Sequence, residues 1–148
     1  MIYIDTSAIV KLYIKEPDSR KVSEWIRTHN KPIPLTRLIE LELLNALKLK
    51  QFRKEICEED FDRIDLKLKQ HEASGVYYRP PMDWAVVFHY AFDLSKAHTP
   101  TTGSRSLDIM HVASALFLKA DKILTFDDRQ SQLAAVAGLK TENVHSID

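Results

Sequence analysis

"DKILTFDDRQSQLAAVAGL", residues 121–139, decides the fold. The run "KILTF" (122–126) has the β-branched and apolar content of a short strand, and "QSQLAAVAGL" (130–139) reads as a helix closed by Gly138. Between them Asp127 and Asp128 fall where strand gives way to helix. Adjacent carboxylates repel, so a cap, a counter-charge or a cation has to relieve them. In open parallel sheets, ligands bind outside the carboxyl ends of the strands, and this is where such acids would stand.

The N-terminus repeats the pattern. "IYID" (2–5) is a short β-rich run ending in Asp5, and Ser7 is placed to cap a helix through "AIVKLYIKE" (8–16), which Pro17 stops. Asp18 then reads as the N-cap of "SRKVSEWIRTHN" (19–30), with Val22, Trp25 and Ile26 on one face. "PIPLT" (32–36) is a second strand. Residues 37–52 have the leucine content of a buried helix, and "EEDFDRIDLKLKQHEA" (58–73) forms a charged one ended by Gly75. "VYYR" (76–79) is a strand halted by Pro80 and Pro81, and a helix runs from Met82 to about Lys96. "AHTPTTGS" (97–104) reads as a loop and "RSLDIMHVASALFLKA" (105–120) as a helix, while "ENVHSI" (142–147) is a terminal strand. This alternation predicts a three-layer α/β/α sandwich around a mostly parallel sheet. With no repeat and no linker, residues 1–148 are expected to form one domain.

Composition excludes several classes. The 45% hydrophobic and 28% charged content is globular, and 21 basic against 21 acidic residues leave no overall field to draw a polyanion. One cysteine, Cys57, can form no internal disulfide and no cysteine metal cluster; a buried or inert thiol is expected. No window approaches the roughly 18 apolar residues of a membrane span, and the start lacks the basic and apolar regions of a secretory signal. A cytosolic location follows as the expectation.

Four acids carry the chemistry. Asp5 and Asp127 end strands, whereas Glu42 and Asp108 interrupt largely apolar helices, so that all four can face one cleft. Carboxylates held close together raise one another's pKa or bind a cation. Oxygen ligands of this kind suit Mg²⁺ or Mn²⁺, which can activate water and stabilise the charge that develops in phosphodiester cleavage.

These residues carry a resemblance. "YIDTSAIVKLY", "ELELLNALKLK" and "GSRSLDIMHVASALFLKADKILTFDDRQSQLAAVAGL" resemble the successive blocks of a PIN domain, particularly of the toxin ribonucleases of bacterial VapBC-type toxin-antitoxin systems. Any one block is common; the ordered acids with "LDIMHVASAL" followed by "TFDDR" are specific. The resemblance implies a metal-dependent endoribonuclease, with Asp5, Glu42, Asp108 and Asp127 as its catalytic and metal-binding acids. Ser7 and Thr125 match the family's hydroxyl residues. It further implies an RNA substrate such as tRNA or rRNA, a VapB-like antitoxin and a homodimer.

Each assignment has a plainer rival. Glu40 and Glu42 point to roughly opposite helix faces, so one serves the site and the other is solvated; the family match favours Glu42. Asp108 near a helix start is favoured by the helix dipole without any metal. Asp127 is the expected ligand and Asp128 the expected cap of the next helix. His111 packs in its helix or contacts an acid or substrate, and Arg105 touches a phosphate or pairs with a neighbouring acid. The basic run at 48–54 is a solvated face unless it follows RNA or an acidic antitoxin segment. The aromatics around Trp84 and "VVFHYAF" read as core or dimer packing. The alternative function is a catalytically idle RNA-binding or regulatory PIN domain. A haloacid-dehalogenase-type phosphatase needs a second Asp where Ser7 stands, and the acid and lysine pattern of a response receiver is missing.

Overall fold

The computed structural model describes residues 1–142. In chain order the elements are β1 (Ile2–Ile4), α1 (Thr6–Val10), α2 (Ser19–His29), β2 (Ile33–Pro34), α3 (Arg37–Phe52), α4 (Glu58–Ala73), β3 (Tyr77–Tyr78), α5 (Trp84–Thr102), α6 (Ser106–Phe117), β4 (Lys122–Leu124), α7 (Asp128–Val136) and β5 (Lys140–Glu142). The chain divides into two compact units, one of Met1–Ala8 with the residues from Pro81 onward, the other Ile9–Pro80.

In the first unit β4 lies between β1 and β5, and both pairings are parallel. Ile2, Tyr3 and Ile4 stand opposite Lys122, Ile123 and Leu124. Tyr3, Ile4, Ile123 and Leu124 are all buried, giving the continuous apolar reading of a parallel sheet rather than an alternating one. The Asp5 amide adds one more bond to the ladder, donating to the Leu124 carbonyl at 3.1 Å. Helices α5, α6 and α7 pack on one another, and Ile109, Val112, Ala113, Ala115, Leu133 and Ala134 supply their buried faces.

The second unit has its own two-stranded parallel sheet, β2 with β3, in register Ile33–Tyr77 and Pro34–Tyr78. Thr36 caps α3 by accepting the Ile39 amide at 3.3 Å, and Ile39, Leu43 and Leu47 form its buried stripe. Ile64 of α4, Val22 and Trp25 of α2, and Tyr77 complete this core. The Tyr13 hydroxyl bonds both His71 Nδ1 at 2.7 Å and the Tyr77 hydroxyl at 2.8 Å, so the polar atoms entering it are satisfied.

The α/β class with parallel strands and helices is borne out, and several local expectations are corrected. Among the described residues the strands form two sheets rather than one. The helix expected over residues 8–16 ends at Val10, after which the amides of Leu12 and Tyr13 make tighter bonds, to the carbonyls of Ile9 and Val10. Asp18 stands at the head of α2 with φ 68° but makes no side-chain cap bond. The expected loop 97–104 is helical as far as Thr102. Pro100 falls in the last turn, where its missing N–H forfeits one bond and its neighbours Thr101 and Thr102 turn their hydroxyls back to the His98 carbonyl. Gly103, at φ 63°, ends the helix. Of the buried or inert thiol expected, Cys57 is not the buried one: it is exposed, and its thiol donates to Asp60, which pushes its pKa up. Phe88, Tyr90 and Phe92 of α5 are exposed, so of the expected core or dimer packing only the core is removed for them. The terminal strand expected over 142–147 is seen as β5 up to Glu142, and residues 143–148 lie outside the described residues. No described helix is long and apolar enough to cross a membrane.

Candidate active site

Because β1 and β4 run parallel, their carboxyl ends share one edge, and Asp5 and Thr125 follow them directly. Asp5 is buried, and each of its oxygens accepts two hydrogen bonds. Oδ1 takes the Ser7 hydroxyl at 2.6 Å and the Ala8 amide at 3.2 Å; Oδ2 takes the Thr125 hydroxyl at 2.7 Å and the Gln130 side-chain amide at 3.0 Å. Four donors fill the accepting capacity of a carboxylate. Burial pushes the Asp5 carboxyl above its ordinary range, opposed by the charge of His111 and by the bonds from Ser7, Thr125 and Ala8. Ser7 therefore does not cap α1 as expected. It serves Asp5 and accepts the Phe126 amide at 3.0 Å, tying the end of β1 to the end of β4.

Asp108 and Asp127 meet through one cation. Asp108, in the first turn of α6, is buried and accepts both the Arg105 amide at 3.0 Å and Arg105 Nε at 3.2 Å on its Oδ2. Asp127 accepts the Gln130 amide on Oδ1 at 3.0 Å and Arg105 Nη2 on Oδ2 at 3.0 Å. Of the two expected roles for Arg105, the structure has the pairing with acids, and with two of them. The cap of α7 is Asp127, not Asp128 as expected; Asp128 is the first helical residue and is exposed. The Thr125 hydroxyl accepts the Asp127 amide at 3.0 Å, which fixes the chain so that Asp127 stands at the cap position.

His111, one turn beyond Asp108, is a packed histidine: it is buried and its Nδ1 bonds the Tyr3 hydroxyl at 2.9 Å. Gln130 is the residue that sequence reading missed. The signal was the spacing D-x-x-Q from Asp127, the form of a capping box. Half of that box forms, since the Gln130 amide does bond Asp127, while its side chain turns to Asp5 instead.

A family model, described as the PIN domain, matches residues 2–136. The chain belongs to the PIN domain family. Among curated proteins it is similar to Ribonuclease VapC46 of Mycobacterium tuberculosis (strain ATCC 25618 / H37Rv), 28% identical over 146 residues that cover 93% of each chain. Among solved structures it is similar to FitAcB from Neisseria gonorrhoeae, with a TM-score of 0.65 at 16% identity, over 99% of this chain and 100% of that one. The PIN match includes all four expected acids.

Within this PIN domain, Asp5, Asp108 and Asp127 belong to the first unit and Glu42, half-buried on α3, to the second. Glu40 is not simply solvated: Arg79 and Arg37 both bond it, and the Arg79 contact leads in holding its carboxyl below the usual range. The basic run at 48–54 is partly spent on internal contacts, with Lys50 paired to Glu16 and Glu55 and Lys48 lying 3.5 Å from the centre of the Phe61 ring. An all-oxygen set of acids has the chemistry of a hard divalent cation site. The observed arrangement does not fit one: Asp5 has no accepting direction to spare, and Arg105 stands against both other aspartates. Among the described residues no three His, Cys, Asp or Glu side chains are grouped to hold a metal ion.

Proposed function

We propose that this PIN domain is an endoribonuclease that hydrolyses RNA phosphodiester bonds, acting as the toxin of a toxin-antitoxin pair. The observation that carries this reading is the meeting of Asp5, Ser7, Thr125 and Asp127 at one strand edge, with Asp108 joined to Asp127 through Arg105. Similarity over 93% of the chain to a protein named a ribonuclease supports the reaction class. Similarity in fold to FitAcB supports the architecture alone, and the toxin-antitoxin setting rests on the resemblance of the acid-bearing blocks to VapBC-type toxins.

The proposed catalytic set is Asp5, Glu42, Asp108 and Asp127, with tRNA or rRNA as substrate and with Mg²⁺ or Mn²⁺ as a cofactor whose binding requires Arg105 to leave Asp108 and Asp127. Negative carboxylates facing a negative phosphodiester need positive charge between them, which is the physical reason for a cation. Asp5, fully bonded and buried, organises Ser7, Thr125 and Gln130; Asp127 is the more open acid and the better placed to meet solvent or substrate. The proposed partners are a VapB-like antitoxin and a second copy of the chain, for which the exposed Phe88–Phe92 pair on α5 offers apolar surface. A cytoplasmic location and a single functional domain complete the reading.

Antitoxin-free protein incubated with total tRNA and rRNA, with Mg²⁺ or Mn²⁺ and with EDTA, beside Asp5→Asn, tests it. Discrete fragments that EDTA and the substitution both remove are expected. A second reading, an idle RNA-binding PIN domain, is favoured by the self-satisfied state of the aspartates; RNA binding without fragments would replace the first reading with this one.

A further inference from the structure

We propose that Arg105 is a built-in cation that occupies the place between Asp108 and Asp127, so that a divalent ion binds these carboxylates only by displacing its guanidinium. This rests on the nuclease reading for its biological meaning, though not for its test. The starting observation is that an acid set suited to a hard cation is already engaged, with Asp5 fully bonded and Arg105 against the other two aspartates.

The contacts divide Arg105 into a fixed part and a movable part. Its backbone amide bonds Asp108 Oδ2 at 3.0 Å as half of the box that starts α6, so Asp108 keeps that bond wherever the side chain goes. The guanidinium reaches Asp108 through Nε and Asp127 through Nη2, joining acids 19 positions apart, one in the first turn of α6 and the other the cap of α7. Its side chain is 65% exposed, against 8% for Asp108 and 29% for Asp127, so the acids are held in the protein while the cation is held in water. Such an exposed arm can leave at small cost. One unit of positive charge against two carboxylates leaves the group net negative, and a divalent ion would neutralise it fully. The two cations therefore compete for one pair of acids.

Competition predicts that removing Arg105 strengthens metal binding, opposite to what loss of a ligand or of a structural clamp would do. Mn²⁺ binding is measured by electron paramagnetic resonance titration of the full chain, for wild type, Arg105→Met and Arg105→Gln. Both variants are expected to bind Mn²⁺ about tenfold more tightly than wild type, a coupling of ordinary size. Adding Asp108→Asn should abolish the gain. In EDTA the variants should melt below wild type, and Mn²⁺ should raise their melting temperature by more than it raises that of wild type. Unchanged or weaker Mn²⁺ affinity in the variants overturns the proposal, as does failure of every form to bind Mn²⁺. Arg105→Gln retains polar bonding and keeps the test open if Arg105→Met does not fold. RNA cleavage by the same wild-type preparation judges the nuclease reading separately: tighter Mn²⁺ binding with no cleavage would support the displacement and remove the enzyme.

Discussion

The Thr125 hydroxyl donates to Asp5 Oδ2 at 2.7 Å while accepting the Asp127 amide at 3.0 Å, so one side chain fixes the first acid and places the last. Thr125→Val keeps the shape and removes both bonds. With Asp5 and the Asp127 amide each short of a bond in a largely buried setting, a loss of about 1–3 kcal/mol in folding stability is expected by urea denaturation. A loss below the error of the measurement would mean that water replaces the hydroxyl.

Asp5 also sets a pH dependence. Burial raises its carboxyl pKa in the folded chain, so the folded state holds the proton more tightly than the unfolded one. The contribution of this group to stability is full below the ordinary carboxylate pKa, about 3.9, and is lost as pH rises through the raised value. Asp5→Asn has no proton to lose, and its amide can be accommodated if Gln130 turns its own amide over. Denaturation in EDTA across pH 4 to 8 should show the variant gaining on wild type as pH rises and holding that gain at neutrality. A difference that does not vary with pH would contradict a raised pKa.

Asp127 and Asp128 separate capping from charge. Asp127→Ala removes the cap of α7 and should cost about 1 kcal/mol, whereas Asp127→Asn keeps an accepting oxygen for the Gln130 amide and should cost less. Asp128→Asn, at an exposed position, should stay within about 0.5 kcal/mol. If nuclease activity follows charge at Asp127, both Asp127 variants lose it and Asp128→Asn retains it. An active Asp127→Asn would confine that residue to capping.

Gly103 joins α5 to the segment that carries Arg105. Its φ of 63° is in the left-handed region, and an added Cβ would meet nothing within 4 Å. Gly103→Ala should therefore cost only the backbone penalty, about 1 kcal/mol, read as a lower midpoint in thermal denaturation. A larger loss would show that the turn into Ser104 and Arg105 depends on more than this angle.

The amphipathic middle of the chain was legible: α3 and α4 occupy the expected residues, because leucine spacing and charge pattern fix a helix locally. Strand lengths were not. "KILTF" forms only a three-residue strand because ladder length depends on β1 and β5 beside it, and β1 is separated from β4 by most of the sequence. Pro100 read as a breaker because its place in a last turn depends on where Gly103 stops the helix. The acids Asp5, Asp108 and Asp127 were visible as charges in apolar runs, but Asp127 as cap and Arg105 as bridge were not. The first is set by the Thr125 hydroxyl, the second by α7 bringing Asp127 to an arginine from another helix. Gln130 offered only its D-x-x-Q spacing from Asp127, which foretells the amide bond to that cap but not the turn of its side chain to Asp5.

The parallel pairing of β1 with β4 also has a meaning in time. Asp5 is synthesised well before Leu124, Thr125 and Gln130, which receive and bond it. A nascent chain stopped before Leu124 has β1 without its neighbour and Asp5 with only Ser7 and Ala8 from its bonding set. Whatever chemistry this edge performs is thus withheld until Gln130 has been made, and a stop codon anywhere between Asp5 and Leu124 yields a product that cannot assemble it.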